Sequence, residues 1–127
     1  MIMDSNIVIY AERSEHGPLR QFIVKHLPSV SAITVVEVLG FHKIGGAERQ
    51  YFERMFRTVS VLPVSDQVID RAVSLRQNRK MSLGDALIGA TALVFGRTLV
   101  TGNVRHFDWI QGLTLLNPLP PTAEIAT

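Results

Sequence analysis

From Ala86 to Phe95 the chain carries no charge, and nearly every residue is small or apolar. A helix with no polar face has to be buried on most of its sides. That demand constrains the whole chain, because other elements must surround this one. Ser82 stands just ahead of it as a good helix N-cap, and Asp85 lies three residues on, at N3. Asp85 is therefore a lone acid at the mouth of a buried helix. It serves either as a cap for the backbone N–H groups and the helix dipole, or as a metal or catalytic carboxylate at the rim of a core. The segment by itself leaves both open.

The chain has enough material to bury such a helix. Its 127 residues are 46% hydrophobic and 19% charged, the balance of one folded domain. We expect the domain to span residues 1–118. The tail, residues 119–127, begins within a proline-rich stretch and is expected to fray. No cysteine is present, which leaves no disulfide framework or thiolate ligand and fits a reducing cytoplasm. No apolar run reaches the length of a membrane span, and the N-terminus lacks a secretory pattern. The formal charge of +2 does not by itself announce a nucleic-acid partner.

Short apolar runs alternate with helical patterns along the whole sequence. Ile2 and Met3 read as a strand ending at Asp4, followed by a helix through Tyr10. Leu19, Phe22, Ile23 and Leu27 recur at helical spacing until Pro28. Val30 to Ile33 reads as a second strand. Thr34-Val-Val-Glu37 has the capping-box form and opens a helix through Phe41. Gly45-Gly46 breaks the pattern before a helix with Tyr51, Phe52, Met55 and Phe56 on one face. Val59 to Leu62 reads as a third strand. Ser65 caps a helix whose inner face holds Val68, Ile69, Ala72, Val73 and Leu75. After the Asp85 helix, Gly96 is placed to end it. Thr98 to Thr101 is a fourth strand and Thr114 to Leu116 a fifth.

This alternation predicts an α/β/α fold with a mostly parallel central sheet of four or five strands and helices on both faces. Ligands in such folds gather beyond the carboxyl ends of the strands. Asp4, Glu37 and Asn103 all fall at that edge, and Asp85 can face it. Each also has a bland use: a turn for Asp4 with Asn6, a capping box for Glu37, a loop for Asn103. Three carboxylates brought together repel one another, at roughly 4 kcal/mol per pair at ~4 Å and an effective dielectric of ~20. A hard divalent cation such as Mg2+ or Mn2+ relieves this and suits oxygen ligands. It also stabilises charge on a phosphoryl oxygen and acidifies water, which points to hydrolysis of a phosphate ester.

Other chemistries lack their patterns. The histidines, His16, His26, His42 and His106, have no zinc-like spacing, and there is no Gly-rich phosphate loop or G-x-S-x-G serine. Arg76, Arg79 and Lys80 precede Asp85, and Arg105 follows Asn103. They read either as solvated helix ends or as contacts to a phosphate backbone.

Four segments together resemble the signature segments of PIN domains, and most closely the VapC-type toxins of bacterial toxin–antitoxin pairs. They are Met3-Asp-Ser-Asn6, Ser31-Ala-Ile-Thr-Val-Val-Glu37, Met81-Ser-Leu-Gly-Asp85 and Val100-Thr-Gly-Asn-Val-Arg-His-Phe107. The resemblance implies an endoribonuclease dependent on Mg2+ or Mn2+. It makes Asp4, Glu37 and Asp85 the metal-binding acids, with Asn103 at the place of a fourth. Asn6 and Thr101 would support the acids. It further implies a homodimer, an RNA substrate, and a small DNA-binding antitoxin that covers the nuclease site. Two departures stand out: Asn103 is uncharged, and His106 occupies a position where the family often has an acid. Two other functions compete. An aspartyl-nucleophile phosphatase would normally need a second acid where Asn6 stands. A catalytically weak PIN-like binding module would be consistent with the uncharged Asn103.

Overall fold

Five strands of two or three residues form the centre of the molecule: β1 (Ile2–Met3), β2 (Ser29–Ser31), β3 (Val61–Leu62), β4 (Leu99–Val100) and β5 (Leu115–Leu116). The structure, a computed structural model, describes residues 1–120. The strands lie in the order β3-β2-β1-β4-β5, and every neighbouring pair is parallel. In register, Ile2 sits between Ser29 and Leu99, and Met3 between Val30 and Val100.

Such short strands hold because successive side chains enter opposite layers. Ile2, Leu62 and Leu99 join Val68, Ala72, Leu75, Ala86 and Ile88 on one face. Met3, Val30 and Val100 join Ile7, Val8, Leu19, Ile23, Val38 and Phe52 on the other. The first layer is built from α5 (Asp66–Asn78) and α6 (Leu83–Val94). The second is built from α1 (Ser5–Glu12), α2 (Gly17–His26), α3 (Ala32–Leu39) and α4 (Gly46–Thr58). An all-parallel sheet needs both faces covered, and here both are.

The apolar helix is buried as its composition demands. Ala86, Ile88, Gly89, Ala90, Thr91 and Ala92 of α6 are all inaccessible or nearly so. Its end is a Schellman motif: Gly96 takes φ 63°, its N–H reaches Leu93 O, and Arg97 N–H reaches Ala92 O. Among the described residues no helix is long and apolar enough to cross a membrane.

The structure corrects several local expectations. β2 ends at Ser31, and Ser31 rather than Thr34 caps α3, its hydroxyl accepting the Ile33 N–H at 3.3 Å. Thr34 lies inside the helix with no exposed surface, so Glu37 is not a capping-box partner. Gly40 then closes α3 before Phe41, which is exposed. β3 starts at Val61, not Val59. On α5 only the stripe Val68, Ala72 and Leu75 packs inward, while Ile69 and Val73 face solvent. A single packing partner covers one stripe, and Ile69 and Val73 lie about 100° round the helix from it. Leu119, at the start of the expected tail, is buried in the α1–α4 layer, and residues 121–127 of that tail lie outside the described residues.

Candidate active site

The chain lays down β1, β2 and β3 in one direction across the sheet, then returns to place β4 and β5 on the other side of β1. The crevice at that reversal, between β1 and β4, is where ligands collect in open parallel sheets. Asp4 leaves β1 there and Thr101 leaves β4. The Thr101 hydroxyl donates to Asp4 Oδ2 at 2.8 Å and accepts the Asn103 N–H at 2.9 Å. Asp4 holds the N-cap position of α1, yet its side chain makes no capping bond. It is only 3% exposed. Asp4 does stand at the strand-to-helix turn, but its side chain is buried against Thr101 and does not cap α1.

Glu37 reaches the same crevice from α3. Its Oε1 accepts the Ser5 hydroxyl at 2.7 Å, and that hydroxyl also pairs with the buried Thr34 hydroxyl at 3.0 Å. A serine has one proton, and the charged acceptor takes it. The other end of the carboxylate rests against Gly84, at the start of α6, where any side chain would collide with it. Helix N-termini favour such negative charge.

Asp85 completes the set. Ser82 caps α6 by accepting the Asp85 backbone N–H at 3.1 Å, which leaves the Asp85 carboxylate free for other work. Its Oδ2 pairs with His106 Nδ1 at 2.8 Å. An ionised carboxylate only accepts, so Nδ1 carries the proton. His106 is held in turn, because its backbone oxygen accepts the Trp109 indole N–H at 3.0 Å.

These acids act on one another. Asp4 is pushed up from the ordinary 3.8 to about 6. Burial is the largest cause. The charges of Asp85 and Glu37 add to it, while the Thr101 hydroxyl and the Ser5 backbone N–H pull the other way. Among the described residues no cationic side chain pairs with Asp4. Among the described residues no three His, Cys, Asp or Glu side chains are placed to grip one metal ion together. The donor set is oxygen, strongly anionic and sparse. That suits a hydrated cation of the Mg2+ kind, which takes one or two carboxylates and keeps several waters.

The relatives of this chain decide the family. A profile for the PIN domain matches residues 1–113. The chain belongs to the PIN-domain family. It is 27% identical over 127 residues to ribonuclease VapC1 of Rickettsia felis, a match covering 91% of this chain and 94% of that protein. It is 31% identical over 90 residues to ribonuclease VapC10 of Mycobacterium tuberculosis, covering 67% of this chain and 66% of the other. A toxin–antitoxin complex from Klebsiella pneumoniae contains a chain of the same fold, with TM-score 0.75, 29% identity and 98% of each chain covered. VapBC2 of Rickettsia felis, solved with promoter DNA, shares the fold at TM-score 0.78 and 20% identity, with 91% of this chain and 96% of that one covered. PIN nucleases generally depend on divalent metals.

Within this PIN domain, Asp85 and Glu37 lie near enough to Asp4 to raise its proton affinity, but the three do not form one metal-gripping group among the described residues. The polar residues around them sort differently. Thr101 holds Asp4 as expected. Asn6 has no hydrogen bond to any of the three acids among the described residues, and Ser5 takes the supporting place instead. Asn103 is 7% exposed and joins the network through its main chain. Arg79, Lys80 and Arg105 line one cleft with Asp85. Sequence reasoning missed Ser5, Gly84 and Trp109, and it gave His106 no partner. Only the Ser-Asn pair after Asp4 and the glycine before Asp85 offered any signal.

Thr101→Val tests the Asp4 bond. It keeps the shape and removes both the donor to Asp4 and the acceptor for Asn103. We expect a loss of about 2–3 kcal/mol in urea unfolding at pH 8, where Asp4 is ionised. Unchanged stability would mean that the hydroxyl contributes nothing.

Proposed function

We propose that this chain is a divalent-metal-dependent endoribonuclease, the toxin of a VapBC-type toxin–antitoxin pair. One observation carries the reading: a buried aspartate at the sheet reversal, with two further acids close enough to raise its proton affinity. Such a pocket is built to receive positive charge. Its relatives named as ribonucleases support RNA as the substrate, and those solved as toxin–antitoxin complexes support an antitoxin partner.

Asp4 and Asp85 would hold the ion, which we propose to be Mg2+ or Mn2+. When bound, it supplies charge to the phosphoryl oxygen and makes water more acidic. Glu37, fixed by Ser5, takes the proton from the attacking water. Thr101 and His106 hold Asp4 and Asp85 in place, and Asn103 lends its amide to the rim. Arg79, Lys80 and Arg105 contact the RNA backbone. The protein works as a homodimer in the cytoplasm until an antitoxin that binds DNA through its own domain covers the cleft.

The purified chain should cut single-stranded RNA with Mg2+ or Mn2+ and not with EDTA. Asp85→Asn should lower the rate by at least about 100-fold with an unchanged circular dichroism spectrum. Undiminished cutting by that variant would remove Asp85 from the site. A reading frame for a small DNA-binding protein directly beside this gene would mark it as half of a pair.

A further inference from the structure

We propose that the cleft beside Asp85 is a nucleotide subsite in which the Trp109 indole stacks on an unpaired base flanking the bond that is cut. This rests on the nuclease reading above and says how the RNA is held. The cleft has a volume of about 610 Å³, in the range of small-ligand sites. Its walls bring together Arg79, Lys80, Arg105, Asp85, His106 and Trp109. The cations come from two separate segments, the α5–α6 connection and the turn after β4. Among the described residues Asp85 is the only acid on its lining.

Trp109 has the form of a stacking platform. Its N–H is tied to the His106 carbonyl at 3.0 Å, which fixes the ring. Part of its body packs on the α5–α6 layer, and the rest is open. The Arg79 guanidinium lies over the ring, 5.5 Å from its centroid. A planar cation on one face of an indole marks a face able to take a planar π partner. Arg79 is exposed and held there by little else, so an entering base replaces it and leaves the guanidinium beside the phosphate. The carbonyl that accepts the indole N–H belongs to His106, whose ring holds Asp85. The stacked base is therefore one residue away from a catalytic acid. Bases inside a duplex offer no free face, so the RNA at this point is single-stranded.

Trp109 is the chain's single tryptophan, so its fluorescence reports this site alone. A short single-stranded RNA titrated in EDTA should quench it saturably, and a duplex of the same composition should not. With metal, Trp109→Ala should raise KM by about 10- to 100-fold with little change in kcat. Trp109→Phe should keep KM within about threefold. A plug that only fills the core would change stability and leave this KM pattern absent. Labelled RNA that binds without quenching Trp109, or an unchanged KM in Trp109→Ala, overturns the subsite. If the alanine variant does not fold, quenching in the native chain and KM in the phenylalanine variant decide instead. Cleavage without quenching rejects the subsite and spares the nuclease. Quenching without cleavage in any metal rejects the nuclease and keeps the base-stacking cleft.

Discussion

Asp4→Asn should abolish RNA cleavage and, in EDTA at pH 8, make the protein more stable. The cause is the burial of Asp4 beside two other acids. In the unfolded chain its carboxyl titrates near 3.8, and in the folded chain at about 6. Above pH 6 it is ionised in both states, and the folded state carries a penalty of about 3 kcal/mol. Between about pH 4 and 6 the folded chain holds the proton and the unfolded chain does not. Stability therefore falls as pH rises through that window. Below pH 4 both states are protonated and the penalty is absent. Asparagine has no charge at any pH and still offers an oxygen to the Thr101 hydroxyl. The variant should gain about 1–3 kcal/mol over the native chain at pH 8 and almost nothing at pH 4, by urea unfolding in EDTA. Mg2+ should then raise the Tm of the native chain at pH 8 and leave the variant nearly unmoved. A variant less stable than the native chain at pH 8 would mean that Asp4 is a structural group and not a charge awaiting a cation.

The position of Asp4 was legible because a parallel sheet sends every strand end to one edge. Asp4 needed only the end of β1. Glu37 bonds Ser5 beside Asp4, and its expected capping-box role is absent. Ser31 and Thr34 both offer a capping hydroxyl, and only the packing of Thr34 into the core chooses between them. The partners were not legible, because each is a long-range meeting. Ser5 meets Glu37 across 32 residues and Thr101 meets Asp4 across 97. Of these, Thr101 was named through the resemblance and Ser5 was not. Asn6 looked equal to Ser5, but one step along a helix turns a side chain by about 100°, away from the acids. Similarly, Ile69 and Val73 are as apolar as Val68, and only the position of α6 decides which stripe of α5 is covered.

Gly84→Ala should separate stability from activity. Glycine inside a helix is worth about 1 kcal/mol less than alanine, so at an ordinary helical position this change stabilises. Here a methyl group would overlap Glu37 Oε2 and stand 3.1 Å from its Cδ. The obstructing atoms are the end of a flexible side chain, so the helix keeps its place and the carboxylate swings away. Unfolding should therefore show no loss, or a gain of up to about 1 kcal/mol. Cleavage should fall by roughly 10- to 100-fold in kcat, because displacing a reacting group by about 1 Å costs that much. Glu37→Gln identifies the route. If the glycine acts only through that carboxylate, the double variant cuts RNA no more slowly than Glu37→Gln alone. Losses that multiply would place the effect of Gly84 elsewhere, in the backbone that presents Asp85.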